Sequence, residues 1–131
     1  SIAGPVVSTP GEGDDRAVRF VGAGDRNGLV FHALAANKAD RNMEPFIIDV
    51  NPPASGDYEV SSHEGEEFMY VLSGELEIDY GRKLYHIKAG QSIYYDSIVP
   101  HHVHAAGGKA ARILAIRVHD ERMRRTNGGT A

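Results

Sequence analysis

Apolar and polar residues along this chain alternate with a period of two in short runs, and nowhere settle into the three-to-four spacing of an amphipathic helix. The runs are AVRFVG from Ala17, LVFHALA from Leu29, MEPFIIDV from Met43, EFMYVL from Glu67, ELEIDY from Glu75, KLYHI from Lys83, SIYYD from Ser92 and ARILAIRV from Ala111. All are five to eight residues long and rich in β-branched and aromatic residues, the signature of strands. ELEIDY shows the pattern most cleanly. Leu76 and Ile78 share one face and Glu75, Glu77 and Asp79 the other, which predicts a strand with one wet side. The separators are turn formers: Gly24 with Asp25, Asn27 with Gly28, Pro52, Pro53 and Gly56, Ser73 with Gly74, Gly81, Ala89 with Gly90, and Gly107 with Gly108. About one helical turn is expected over residues 35–41, and nothing longer. Short strands with no helical partner must cover one another's apolar faces, so the expected class is all-β, a sandwich or barrel that closes its own core.

Composition narrows this further. A chain of 131 residues fits one domain. Residues 1–16 hold two prolines and three glycines without periodicity and read as a flexible arm or linker; the barrel is expected over 17–119 and a tail over 120–131. The net charge of -4 leaves no concentrated basic surface, so direct nucleic-acid binding by this chain is not expected. Arg117, Arg122, Arg124 and Arg125 form the one basic concentration, and they read as a solvated tail. Cysteine is absent, which excludes disulfides, thiolate metal sites and cysteine nucleophiles. No stretch approaches the roughly twenty apolar residues of a membrane span. No signal-peptide pattern opens the chain, and the expected location is the cytoplasm.

The chemistry concentrates in two segments, SSHEGEEFMYVLSG from Ser61 and AGQSIYYDSIVPHHVH from Ala89. His63 and Glu67 stand at i and i+4 with Gly65 between them, and Glu67 opens an apolar strand, so both sit at a strand mouth. His101 follows Pro100 in the second segment. Two imidazoles and a carboxylate make the smallest facial set that grips a divalent cation and leaves coordination positions open. The same three residues could equally form a hydrogen-bonded cluster that needs no cation. Strand alternation puts Ser61 on the face of His63, at the border of the site. If His101 points inward with Val103, His102 and His104 point outward to surface or rim positions. His32, His86 and His119 are expected as half-buried histidines with partners of their own, and Glu64 and Glu66 as members of a solvated loop. Tyr94 and Tyr95 lie on opposite faces of one strand, as do Arg112 and Arg117, so one of each pair can face a pocket; Tyr94, Arg112 and Arg117 are the candidate polar clamps, with Tyr94 and Arg112 the expected ligand contacts. Neither a nucleophile elbow nor a phosphate-cradling glycine loop is present.

The spacing of His63, Glu67 and Gly74, followed by Gly90 and His101, resembles the two motifs of the cupin superfamily. Ser61 stands where the first motif usually has its first histidine, and Ala105 where the second usually ends in asparagine. The resemblance implies a double-stranded β-helix, or jelly-roll, barrel. It also implies a divalent metal (iron, zinc, manganese or nickel) on His63, Glu67 and His101, with Ser61, Tyr94 and Arg112 around a small-molecule ligand. MEPFIIDV, SSHEGEEF, YVLSGELEI and SIYYDSIVPHHV are similar to phrases in the cupin domains that follow a helix-turn-helix in bacterial transcription regulators. That likeness implies a ligand-sensing module, with any contact to DNA made by a fused domain outside this chain. Phosphonate epoxidases are similar in using two histidines and one glutamate without the first cupin histidine. They imply the alternative, a metal-dependent dioxygenase, epoxidase or isomerase acting on a small polar substrate. Pairing into homodimers through edge strands is a further expectation from the resemblance.

Overall fold

The computed structural model describes residues 2–9, 17–18, 28–52 and 60–119. Nine strands are found among them: β1 (Ala17–Val18), β2 (Leu29–Ala33), β3 (Met43–Val50), β4 (Glu66–Ser73), β5 (Glu75–Tyr80), β6 (Lys83–Lys88), β7 (Ser92–Asp96), β8 (His101–Ala105) and β9 (Ala111–Val118). Strands β3, β5, β7 and β9 coincide with the alternating runs. A single 3-10 turn at Ala106–Gly108 joins β8 to β9. The helical turn expected over residues 35–41 is instead a series of turns and bends, with Ala35 and Asp40 at φ of 52° and 54°. Two left-handed residues in that span are incompatible with a helical turn. No helix of the described residues is long and apolar enough to cross a membrane.

The strands form two antiparallel sheets, one in the order β1-β2-β3-β9-β4-β7 and one in the order β6-β5-β8. Their inner faces supply the core: Phe31, Ile48, Val50, Met69, Val71 and Ile113 from the larger sheet, Leu76, Ile78, Ile87 and Val103 from the smaller. Two packed sheets of short antiparallel strands are the jelly-roll arrangement. Leu76 and Ile78 are fully buried while Glu75, Glu77 and Asp79 face outward, as the alternation required. His32, His86 and His119 each meet a carboxylate: Asp49 at 2.8 Å, Glu75 at 2.8 Å and Glu44 at 2.7 Å respectively.

Residues 2–9, the start of the expected arm, run beside residues 35–39. Ile2 bridges Lys38, and the Ala35 amide donates to Ser8 Oγ at 2.9 Å. Residues 10–16 of that arm and the tail 120–131 with its three arginines lie outside the described residues.

At Gly65 the chain turns between His63 and Glu67 with φ of +111° and passes directly over the end of β9. A Cβ there would stand 2.3 Å from the Val118 carbonyl oxygen. Gly90, at φ of +87°, has open space where its Cβ would be. Gly65→Ala is therefore expected to cost about 2–3 kcal/mol, and Gly90→Ala about 1 kcal/mol, from backbone strain alone. Thermal unfolding checks this, with a fall on the order of 10 °C expected for Gly65→Ala and clearly less for Gly90→Ala.

Candidate metal centre

The two sequence segments that carry the chemistry are stitched together by their backbones at one end of the barrel. Ser61 and His101 exchange amide-to-carbonyl bonds of 2.8 and 2.9 Å, the His63 amide donates to Ser97 O at 3.0 Å, and the Ser97 amide donates to Gly65 O at 2.9 Å. Ser62 Oγ adds a bond to Ile98 O at 2.7 Å. Because β4 and β7 pair with Glu67 opposite Tyr95, and β4 and β9 with Glu67 opposite Arg117, all three project inward together.

Glu67 is the centre of the group. Its Oε2 lies 3.2 Å from His101 Nε2 and 3.6 Å from His63 Nε2, and it accepts a hydrogen bond of 2.9 Å from Ser97 Oγ. Its Oε1 faces Arg117 Nε at 3.4 Å. One donor atom from each of His63, Glu67 and His101 falls within 4.8 Å of the other two, the reach of a shared cation. The far side of each ring is fixed. His101 Nδ1 donates to Val99 O at 2.8 Å and His63 Nδ1 to Glu64 O at 3.3 Å, so both Nε2 atoms are turned to the site. A backbone acceptor on Nδ1 is the usual partner of a metal-ligating imidazole. Two such nitrogens and one buried carboxylate oxygen fit a divalent transition metal, with no thiolate in the set.

A cavity of about 60 Å³ opens beside these donors, lined by Ser61, Tyr95, Arg117 and the apolar side chains of Leu29, Phe31, Met69 and Ile113, among others. That volume is small beside a drug-sized pocket, and the cavity opens to solvent beside the donors. Tyr94 and Arg112, expected at the ligand, stand elsewhere. Tyr94 is 63% exposed on the outer face of β7, and Arg112 is exposed with its Nε 3.3 Å from Asp49. Tyr95 and Arg117 hold the inward positions on the same two strands. For the tyrosines the signal was present in SIYYD, where Tyr94 shares its face with the polar Ser92 and Asp96. For the arginines it was not, since β9 is apolar on both faces. Ser97 escaped the sequence reading because nothing in its spacing marks it, although it is fully buried and binds Glu67. His102 and His104 stack on each other at 5.2 Å; His102 is buried at 4% exposure and is also among the residues that line the cavity.

Charge and burial work against each other here. Burial alone would raise the Glu67 pKa, but the hydrogen bond with His101, the Arg117 charge and the Ser97 hydroxyl bring it down from 4.5 to about 2. Burial alone would lower the His101 pKa, but its bonds to Glu67 and to the Val99 carbonyl raise it above 6.5. The stability contributed by ionised Glu67 is thus full above pH 4.5 and lost as pH falls towards 2. That contributed by protonated His101 is full below pH 6.5 and lost as pH rises through its raised value. Metal-free protein is therefore expected to be most stable between pH 4.5 and 6.5. The acid limb is worth about 3 kcal/mol, and Glu67→Gln should flatten it in denaturant titrations run from pH 6 down to about pH 2. A cation takes the place of the proton on His101 Nε2, so metal affinity should weaken as pH falls.

Residues 47–117, which contain all three candidate ligands, match the cupin domain model. A curated relative, (S)-2-hydroxypropylphosphonic acid epoxidase of Streptomyces wedmorensis, is 31% identical over 93 residues, 66% of this chain and 47% of the relative. The chain thus spans about half the length of that enzyme. Among solved structures, FeII HppE superposes with a TM-score of 0.71 at 27% identity, covering 87% of this chain and 60% of that one. A hydroxypropylphosphonic acid epoxidase from the same organism in complex with fosfomycin superposes with a TM-score of 0.69 at 25% identity, covering 86% and 59%. The Schizosaccharomyces pombe Cnp3 cupin domain, at 14% identity and a TM-score of 0.63 over 76% of this chain and 71% of its own, shares the fold. On the matched motifs and the jelly-roll architecture together, this chain belongs to the cupin domain family.

Proposed function

We propose that this chain is the metal-binding domain of an iron-dependent cupin enzyme that oxidises a small polar substrate, in the manner of the epoxidase it resembles. The observation that carries the reading is the convergence of His63, Glu67 and His101 beside a cavity of about 60 Å³. Iron(II) held there would supply coordination positions for a substrate oxygen and for dioxygen, and an electron to begin reducing the dioxygen that acts as oxidant. The remaining work falls to the chain. Ser97 and Arg117 hold the Glu67 carboxylate ionised and in one orientation. The carbonyls of Val99 and Glu64 keep the imidazoles turned inward. Leu29, Phe31, Met69 and Ile113 form an apolar wall that limits water around the reacting atoms. Arg117 lies over the Phe31 ring at 5.9 Å and places a positive charge at the cavity wall, which favours a substrate bearing an anionic group.

The ligand-sensing reading uses the same centre differently: the metal would dock an anion with no turnover. The epoxidase relatives support the enzyme over the sensor. The homodimer that the family resemblance implies is also a proposal, to be read from molar mass in light scattering.

Anaerobic titration is expected to show one iron(II) or cobalt(II) per chain, lost in Glu67→Ala. Ser97→Ala should weaken binding by about 10–100-fold, because it frees the carboxylate without removing a ligand. With iron(II), a reductant and (S)-2-hydroxypropylphosphonic acid, an oxygen electrode should record substrate-dependent uptake that His101→Ala abolishes. Substrate binding without any uptake would favour the sensor instead.

A further inference from the structure

Tyr95 is buried at 6% exposure, lines the cavity, and carries a hydroxyl with no hydrogen-bond partner. Its ring is held by His101 at 5.0 Å and Tyr80 at 5.1 Å between centroids. Tyr80 does not pair with it: the Tyr80 hydroxyl donates to Asp96 O at 2.9 Å, and no hydrogen bond joins the two phenols. Burial, and then the charge of Glu67, push the Tyr95 pKa up, so its oxygen carries a proton. Glu67 is the acceptor nearest the hydroxyl, close enough for both its charge and its proximity to act on Tyr95, but the contact falls short of hydrogen-bonding geometry and leaves the hydroxyl unpaired. The carboxylate is engaged instead by Ser97, His101, His63 and Arg117. A buried donor without an acceptor is rare and unfavourable. Phenylalanine would fill the same space without that penalty, so the hydroxyl is compensated only when something in the cavity accepts its proton.

We propose that Tyr95 is a ligand-binding residue whose O–H donates to an oxygen of the small molecule seated beside the metal site, selecting ligands that present an acceptor oxygen at the open coordination positions. The proposal rests on the metal-site reading above. Its chemistry is complementary to Arg117. The guanidinium supplies charge from β9 and the tyrosine supplies a directed donor from β7, so a carboxylate or phosphonate oxygen, or a substrate hydroxyl oxygen, satisfies the pocket and an N–H group does not.

The test compares wild type with Tyr95→Phe and Tyr80→Phe. Each is loaded with cobalt(II) and titrated with acetate, and separately with imidazole, by visible absorption. Tyr95→Phe is expected to bind cobalt normally and to lose about tenfold in acetate affinity. Its imidazole affinity should not change, because the nitrogen remote from the metal bears a hydrogen and accepts nothing. Its metal-free melting temperature should equal or exceed that of wild type. Tyr80→Phe removes a hydroxyl that has a partner and should show the reverse, a lower melting temperature with acetate affinity intact. Unchanged acetate affinity in Tyr95→Phe would overturn the proposal. So would a lowered melting temperature, which would reveal a structural partner, or a loss of cobalt affinity, which would show that the hydroxyl acts through Glu67. Those outcomes leave the metal site standing, whereas failure of wild type to bind cobalt would defeat the metal-site reading and this proposal together.

Discussion

A carboxylate at 6% exposure in the wall of a β-barrel is the constraint on which the rest of this structure depends. Removing an ionised group from water costs several kcal/mol even after the protein relaxes, and the cost is met only by hydrogen bonds and opposite charge close by. Glu67 has a full complement of both: a serine hydroxyl at 2.9 Å, His101 at 3.2 Å and a guanidinium at 3.4 Å. In the metal-free state the carboxylate of Glu67 and the Val99 carbonyl raise the His101 pKa, and below that raised value His101 carries a compensating proton. A divalent cation in the same place would compensate more strongly.

The fold exists, for functional purposes, to bring residues from four places in the chain to that carboxylate. Glu67 comes from β4, Arg117 from its partner β9, Tyr95 from its other partner β7, and His101 from the opposite sheet. Antiparallel pairing puts side chains directly opposite each other on one face, so these contacts follow from register rather than from flexible loops. Ser97 lies in the turn that follows β7, and His63 in the loop before β4. That loop is held by the backbone of Ser97 and by Gly65, where no other residue could pass the Val118 carbonyl so closely. A site anchored on strand register is stiff, which suits a pocket that must hold its donors in one geometry.

Most of the fold was legible in the sequence because strand alternation with turn residues between is a local signal. Strands such as ELEIDY and MEPFIIDV carry it within six or eight residues. The candidate ligands were legible too, through the spacing of His63, Glu67 and His101, which the cupin match encloses. What failed was side-chain parity. β9 presents Arg112, Leu114 and Ile116 on one face and Ile113, Ala115 and Arg117 on the other, and no local pattern says which is inside. Pairing with Glu67 decides it, and pairing is a long-range property. The short β8 was seen only as a histidine-dense segment, because its five residues read as polar although four of them are buried. Ser97 was invisible for a related reason, since its importance lies in contacts 30 residues away.

The central claim is that two imidazoles and one carboxylate of this chain bind a single divalent metal. X-ray absorption spectroscopy on anaerobically iron(II)-loaded protein tests it most directly, because imidazole rings leave a distinctive multiple-scattering signature around the absorbing atom. The account predicts a first shell of nitrogen and oxygen only, with the scattering of two imidazoles, falling to one in His63→Ala. Iron bound with no imidazole scattering, or with the same signature in His63→Ala as in wild type, would contradict it.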